Sequence, residues 1–210
     1  MNEENKVKNQ GLILNPIETR EQGAEHIFGG VGAQPEIINP SRDWRSAMPG
    51  KPEAQKKQFE SQNCTAFGWT NAIEVMMKYR WGIDANYSDR ALGIMSGLDP
   101  YKGNDPHRVA EAIRNGGLLD ENLLPFSDDL TTPNDYVKPN PLPSFLQETA
   151  RKWGYSWVFR HWWTFTARTP LNAKQEALWR ALLSSPIPVS VKAWQEDENG
   201  FYYDTEDGDD

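Results

Sequence analysis

The alternation of apolar and polar positions divides the chain into a helical first half and an aromatic second half. The first strong pattern follows a polar, Gln-rich approach and opens at Cys64. Ala66, Trp69, Ile73, Met76 and Met77 recur at i, i+3 and i+4 spacings, the stripe of a buried helix face. They predict a helix that starts at Asn63 or Cys64 and ends near Trp81-Gly82. Tyr87-Ser88-Asp89-Arg90 begins a shorter helix, with Ser88 as its cap and Leu92 and Met95 on its apolar side. Asp105-Pro106 pairs a cap with a first-turn proline, and Val109, Ala112 and Ile113 carry that helix to a stop at Gly116-Gly117.

Four prolines between Thr131 and Pro143 mark a crossover. Beyond it, Phe145, Leu146, Thr149 and Trp153 outline a helix ended by Gly154. Tyr155 to Phe165 alternates enough for a strand, and Ile187 to Trp194 reads as another, with Pro188 near its start. Between them, Asn172 has capping-box spacing to Gln175 and opens a helix to about Leu183. Residues 1–40 show little periodicity and read as a partly ordered N-terminal extension. The expected organisation is that extension, a helical unit over 41–132, a Pro-rich crossover over 133–143, and a β-rich unit beginning at 144 and running to 210.

Composition narrows the class. A chain of 210 residues with nine Trp, eight Phe and seven Tyr can bury one large core or two small ones. Its single cysteine excludes an internal disulfide. The first residues lack the apolar stretch of a signal peptide, and no run is long enough to span a bilayer. The expected setting is a cytoplasm, or a virus- or phage-type particle assembled in one, with no membrane partner. Of the net charge of −8, eight acidic residues lie between Glu196 and Asp210, where there is no Lys or Arg. That run reads as a solvated segment. The remainder carries no basic stripe, so no nucleic-acid partner is expected.

Cys64 is the candidate for chemistry. Unpaired N–H groups and the dipole at a helix start favour thiolate over thiol, although a lone cysteine also serves as a small buried hydrophobe. Other constellations fail on spacing. Asp204 to Asp209 places its glycine at the fifth position of a would-be calcium loop, not the sixth. One cysteine and scattered histidines give no zinc signature, and neither metal nor cofactor is expected. Gly29-Gly30-Val31-Gly32 reads as a hinge and Trp162-Trp163 as core.

Five motifs in order over Asp43 to Val191 resemble the papain-like cysteine peptidases. Asp43-Trp44-Arg45 is similar to the opening of that family's mature domain, and Cys64-Thr65-Ala66-Phe67 to its nucleophile segment. Gly103-Asn104-Asp105-Pro106 and the run from Gly117-Leu118 through Glu121 to Leu124-Pro125-Phe126 resemble two of its turns. Pro188-Val189-Ser190-Val191 resembles a strand of its second domain. The resemblance implies an α+β fold, with a helical N-terminal domain and a β-sheet or barrel domain that is incomplete here. It also implies hydrolysis of peptide or isopeptide bonds through an acyl-thioester on Cys64, with a peptide or protein as substrate. Gln58, which has the family's spacing to Cys64, or Gln55 would donate to the oxyanion. Asn63, Gly103 and Asn104 would meet the extended substrate.

The departures from the family pattern are specific. Thr65 stands where a tryptophan is usual, Asn104 replaces a glycine, and the bracing cysteines are missing. The family's histidine follows the strand that Pro188 opens. His26 precedes the folded part, His107 lies on a helix face and His161 falls in the aromatic segment, so none takes that place. The catalytic histidine is therefore expected beyond residue 210, with this chain a fragment of the enzyme. The alternative expectation is a non-catalytic papain-fold protein with a binding or particle-structural role.

Overall fold

A computed structural model describes residues 36–48, 61–126, 130, 132–161, 164 and 169–189, and the backbone of 194–196 and 202–204. Among the described residues six α-helices run in order: α1 (Cys64–Trp81), α2 (Asp89–Met95), α3 (Pro106–Gly116), α4 (Pro133–Tyr136), α5 (Ser144–Ser156) and α6 (Leu171–Ala181). Single 3-10 turns occupy Arg45–Ala47 and Glu121–Leu123. Strands β1 (Trp194–Glu196) and β2 (Tyr202–Asp204) pair antiparallel as one hairpin.

Helix α1 is the axis of the helical body. It packs against α2, α3 and the turn at Arg45–Ala47, and it buries residues around most of its circumference, from Thr65 and Phe67 to Glu74 and Met77. A helix enclosed in this way belongs at the centre of a fold. Ala66 and Met77 meet Tyr87, Leu92, Val109 and Ile113 in one apolar cluster, while Val75 joins Trp44 and Ala47 in another. Gly82 ends α1 at φ 68°, its N–H on the Lys78 carbonyl at 3.0 Å, a left-handed stop suited to glycine.

The predicted caps of α2 and α3 are present. Ser88 accepts from the Ala91 N–H at 3.0 Å and Asp105 from the Arg108 N–H at 2.9 Å, with Pro106 opening α3. The Trp44 indole donates to the Leu182 carbonyl at 2.9 Å, and the Ile38 and Asn39 N–H groups donate to Leu183. These bonds join the N-terminal segment to the end of α6. Most of the expected extension lies outside the described residues.

The expected α+β fold with a β-sheet or barrel domain is overturned. The molecule is mostly helical, and its strands among the described residues are the two three-residue arms of a hairpin. The predicted strand at Tyr155–Phe165 shows why. Tyr155 and Ser156 complete α5, which runs past Gly154, and the described residues that follow pair with no strand. Trp157 and Phe159 turn inward onto the α1–α3 cluster, while Val158 and Arg160 face outward. Period-two alternation marks an extended segment with one packed face, and here helices supply the packing.

The second predicted strand is displaced as well. Ile187–Val189 is irregular, Ser190–Ala193 lies outside the described residues, and pairing begins only at Trp194. Its partner is Tyr202–Asp204, within the run read as solvated. Helix α6 starts at Leu171 after Pro170, without a side-chain cap from Asn172.

Gly117, just past the end of α3, lies tight against α5. Its backbone has φ 77° and ψ −163°, and a Cβ there would lie 2.0 Å from the Ala150 carbonyl oxygen on α5. That backbone region alone costs a side chain of order 1–3 kcal/mol. At Gly82 a Cβ meets nothing within 4 Å, so only the left-handed cost of roughly 1–2 kcal/mol applies. Urea unfolding is expected to show Gly117→Ala as clearly more destabilising than Gly82→Ala. Equal losses would contradict the close packing of α3 on α5.

Candidate functional site

Cys64 is the first residue of α1 and is half-buried. The chain reaches it through Gln62 at φ 57°, a left-handed conformation uncommon for a side-chain-bearing residue. Asn63 follows as the cap, its carbonyl accepting the N–H groups of Ala66 and Phe67 at 3.0 and 3.2 Å. One turn beyond Cys64, Gly68 leaves room for Pro188, whose Cβ would sit 3.7 Å from a Cβ on that glycine. The segment containing Pro188 thus lies beside the first turns of α1. Burial pushes the Cys64 thiol above its ordinary value, and hydrogen bonds from the N–H groups of Thr65 and Cys64 offset only part of this. Among the described residues no imidazole hydrogen-bonds the sulfur.

The expected substrate-contact residues Asn63, Gly103 and Asn104 all hydrogen-bond within the fold. Asn63 is 0% exposed. Its amide donates to the Asp89 carbonyl at 2.8 Å and to the Tyr136 hydroxyl at 2.7 Å, fastening the start of α1 to α2 and α4. Gly93 sits so close that a Cβ there would lie 2.9 Å from the Asn63 amide oxygen. The Asn63 side chain is thus enclosed by the fold. Asn104 is also 0% exposed, donating to Ser96 Oγ at 2.7 Å and accepting the Asp105 N–H at 2.8 Å. Gly103, at φ 95°, exchanges backbone hydrogen bonds with Asp99 at 2.8 and 3.1 Å. Its N–H and C=O both take part in the turn. Gln55 and Gln58 lie outside the described residues.

The fold assembles a second constellation, which the linear spacing did not reveal. His107 and Glu111, one turn apart on α3, share a face with His161 from the inward side of the extended segment. His161 Nε2 lies 3.3 Å from His107 Nδ1 and 3.5 Å from Glu111 Oε1. All three residues offer ligand atoms within 4.8 Å of one another. The His161 side chain is only 5% exposed. It stacks on Phe159, with centroids 5.9 Å apart and planes 17° from parallel, and meets the Trp69 ring edge-on. The Trp69 indole in turn donates to the Pro106 carbonyl at 3.0 Å, just before His107. His107 and Glu111 also border a groove of about 580 Å³ between α3 and the start of α5.

The available signal was the i, i+4 spacing of His107 and Glu111, which places both on one helix face. The third member depended on which side of the 157–161 segment turned inward.

Asn63 is expected to behave as a structural residue. Asn63→Ala removes the donor from a buried carbonyl and a buried hydroxyl, a loss of about 1–3 kcal/mol for each group left unsatisfied. Equilibrium denaturation should show at least that destabilisation. Wild-type stability in Asn63→Ala would contradict the described network.

No protein-family model matches the chain, and neither a curated protein nor a solved structure is significantly similar to it. The functional reading therefore rests on the residues and their geometry.

Proposed function

We propose that the protein is a thiol-dependent hydrolase or acyl-transfer enzyme acting on peptide or isopeptide bonds, with Cys64 as the nucleophile. The observation that carries this reading is the presentation of Cys64. A left-handed Gln62 and a fully enclosed Asn63 turn the chain so that the cysteine opens α1. Backbone N–H groups at that point stabilise negative charge on sulfur, and on an oxyanion formed beside it. Backbone strain of this kind clusters where a reactive group must be held in place.

In the reaction, Cys64 sulfur attacks the carbonyl carbon and forms the thioester as the amine leaves with a proton. Water then cleaves the thioester and restores the thiol. Gln58 or Gln55 serves the oxyanion. The step also needs a proton acceptor; among the described residues no imidazole hydrogen-bonds the sulfur, and the rings of His107 and His161 meet each other, with Glu111 beside His161. A reducing compartment, or a particle assembled in one, suits a free cysteine in this role.

The upward push on the thiol favours the second reading, a binding or particle-structural protein in which Cys64 is a packed hydrophobe. The pH profile of iodoacetamide alkylation separates the two. An imidazolium partner draws the thiol far below its ordinary value of 9.0, so Cys64 should react much faster than free cysteine at about pH 6. A single rise at a pH above that of free cysteine, with no plateau at low pH, would leave Cys64 a structural thiol. Cys64→Ser should abolish labelling in either case, fixing the site of reaction.

A further inference from the structure

We propose that His107, Glu111 and His161 form a binding site for a divalent transition-metal ion of the zinc type, completed by a fourth ligand entering from the groove beside α3. Two of the three donor separations match such an ion, and the third, between His107 and Glu111, lies within 4.8 Å. Nitrogen and oxygen ligands about 2.0–2.1 Å from a tetrahedral zinc lie about 3.3–3.4 Å from one another. The two pairs that meet at His161 Nε2 are 3.3 and 3.5 Å apart. Two imidazoles with one carboxylate are also the donor set such ions prefer, whereas magnesium and calcium take oxygen ligands almost throughout. Three protein ligands leave one tetrahedral position for water or another small ligand.

The surroundings hold the donors in place. Glu111 uses Oε2 for Arg114 and for the Asn115 amide, the latter at 3.3 Å. Its Oε1 is buried, has no hydrogen-bond partner among the described residues, and lies toward His161. Such division of a carboxylate's two oxygens, one to a supporting donor and one to the ion, fixes the ligand's direction. Trp69 and Phe159 fix the His161 ring on two sides. His107 and Glu111 border the groove, which supplies an entry path.

The site is separate from the Cys64 thiol in residues and in chemistry, and its test keeps the two apart. The full chain, treated with a chelator and dialysed, is titrated with zinc chloride by calorimetry, and the bound metal is counted by mass spectrometry. One ion per chain is expected. His107→Ala and His161→Gln should each weaken binding by more than the roughly 10–100-fold that disturbing a supporting residue causes, with far-UV circular dichroism confirming retained helix. Cys64→Ser should bind as the unaltered chain does.

Cobalt(II) added to the unaltered chain gives a readout that requires no ligand variant. Visible d–d bands of tetrahedral intensity without a thiolate charge-transfer band are expected. Absence of a bound ion, affinity unchanged in His161→Gln, or a thiolate charge-transfer band would each overturn the site.

Discussion

The amide of Asn63 holds together the part of the molecule in which the candidate nucleophile sits. It joins the first turn of α1 to the backbone of α2 and to the Tyr136 hydroxyl on α4. Around it, Thr70 hydrogen-bonds Asp89, Gly93 gives the amide room, and Arg90 reaches the carbonyls of Pro125, Asp135 and Tyr136. Burial raises the Tyr136 hydroxyl well above its ordinary value, and the Asp89 charge adds to this, so the phenol keeps its proton. Removing the Asn63 amide donor from this network leaves two buried acceptors unsatisfied at about 1–3 kcal/mol each, a sizeable part of a folded domain's margin of stability. The network therefore fixes where α1 begins.

Fixing that start does not by itself make the thiol reactive. The N-terminus of a helix favours an anion by about 0.3–1 kcal/mol at exposed sites, while one unit of acidity corresponds to about 1.4 kcal/mol. Half-burial of Cys64 outweighs the two N–H groups that meet its sulfur. Position supplies direction of attack and oxyanion donors; acidity requires a cationic partner. The proposed hydrolase needs both; the structure places Cys64 at the start of α1.

The helical part of the fold was legible because its signals are local. Ser88, Asp105-Pro106 and Gly117 announce helix ends through hydrogen-bonding groups within a turn of themselves, and each acts as read. The strands were misread because alternation reports which side of a segment is packed, not what packs it. Trp157, Phe159 and His161 alternate inward as a strand would, but they meet α1 and α3. The same limit hid the histidine cluster. His107 and Glu111 declared themselves by spacing alone, and His161 joins them only through the fold. Asn63 and Asn104 were read as substrate contacts from their places in motifs, whereas burial gives their amides to neighbouring backbone and side chains.

The two proposed sites share one helical scaffold, and the thiol decides the proposed function. The most direct test is to mix the protein with a peptide ester or peptide thioester and quench at intervals for intact-mass and peptide-mapping spectrometry. The account predicts an acyl adduct on Cys64 that forms on the folded chain, decays in water to free acid, and disappears with Cys64→Ser. No adduct, or one forming as fast on the urea-unfolded chain, would show that the fold contributes nothing to the reactivity of the thiol.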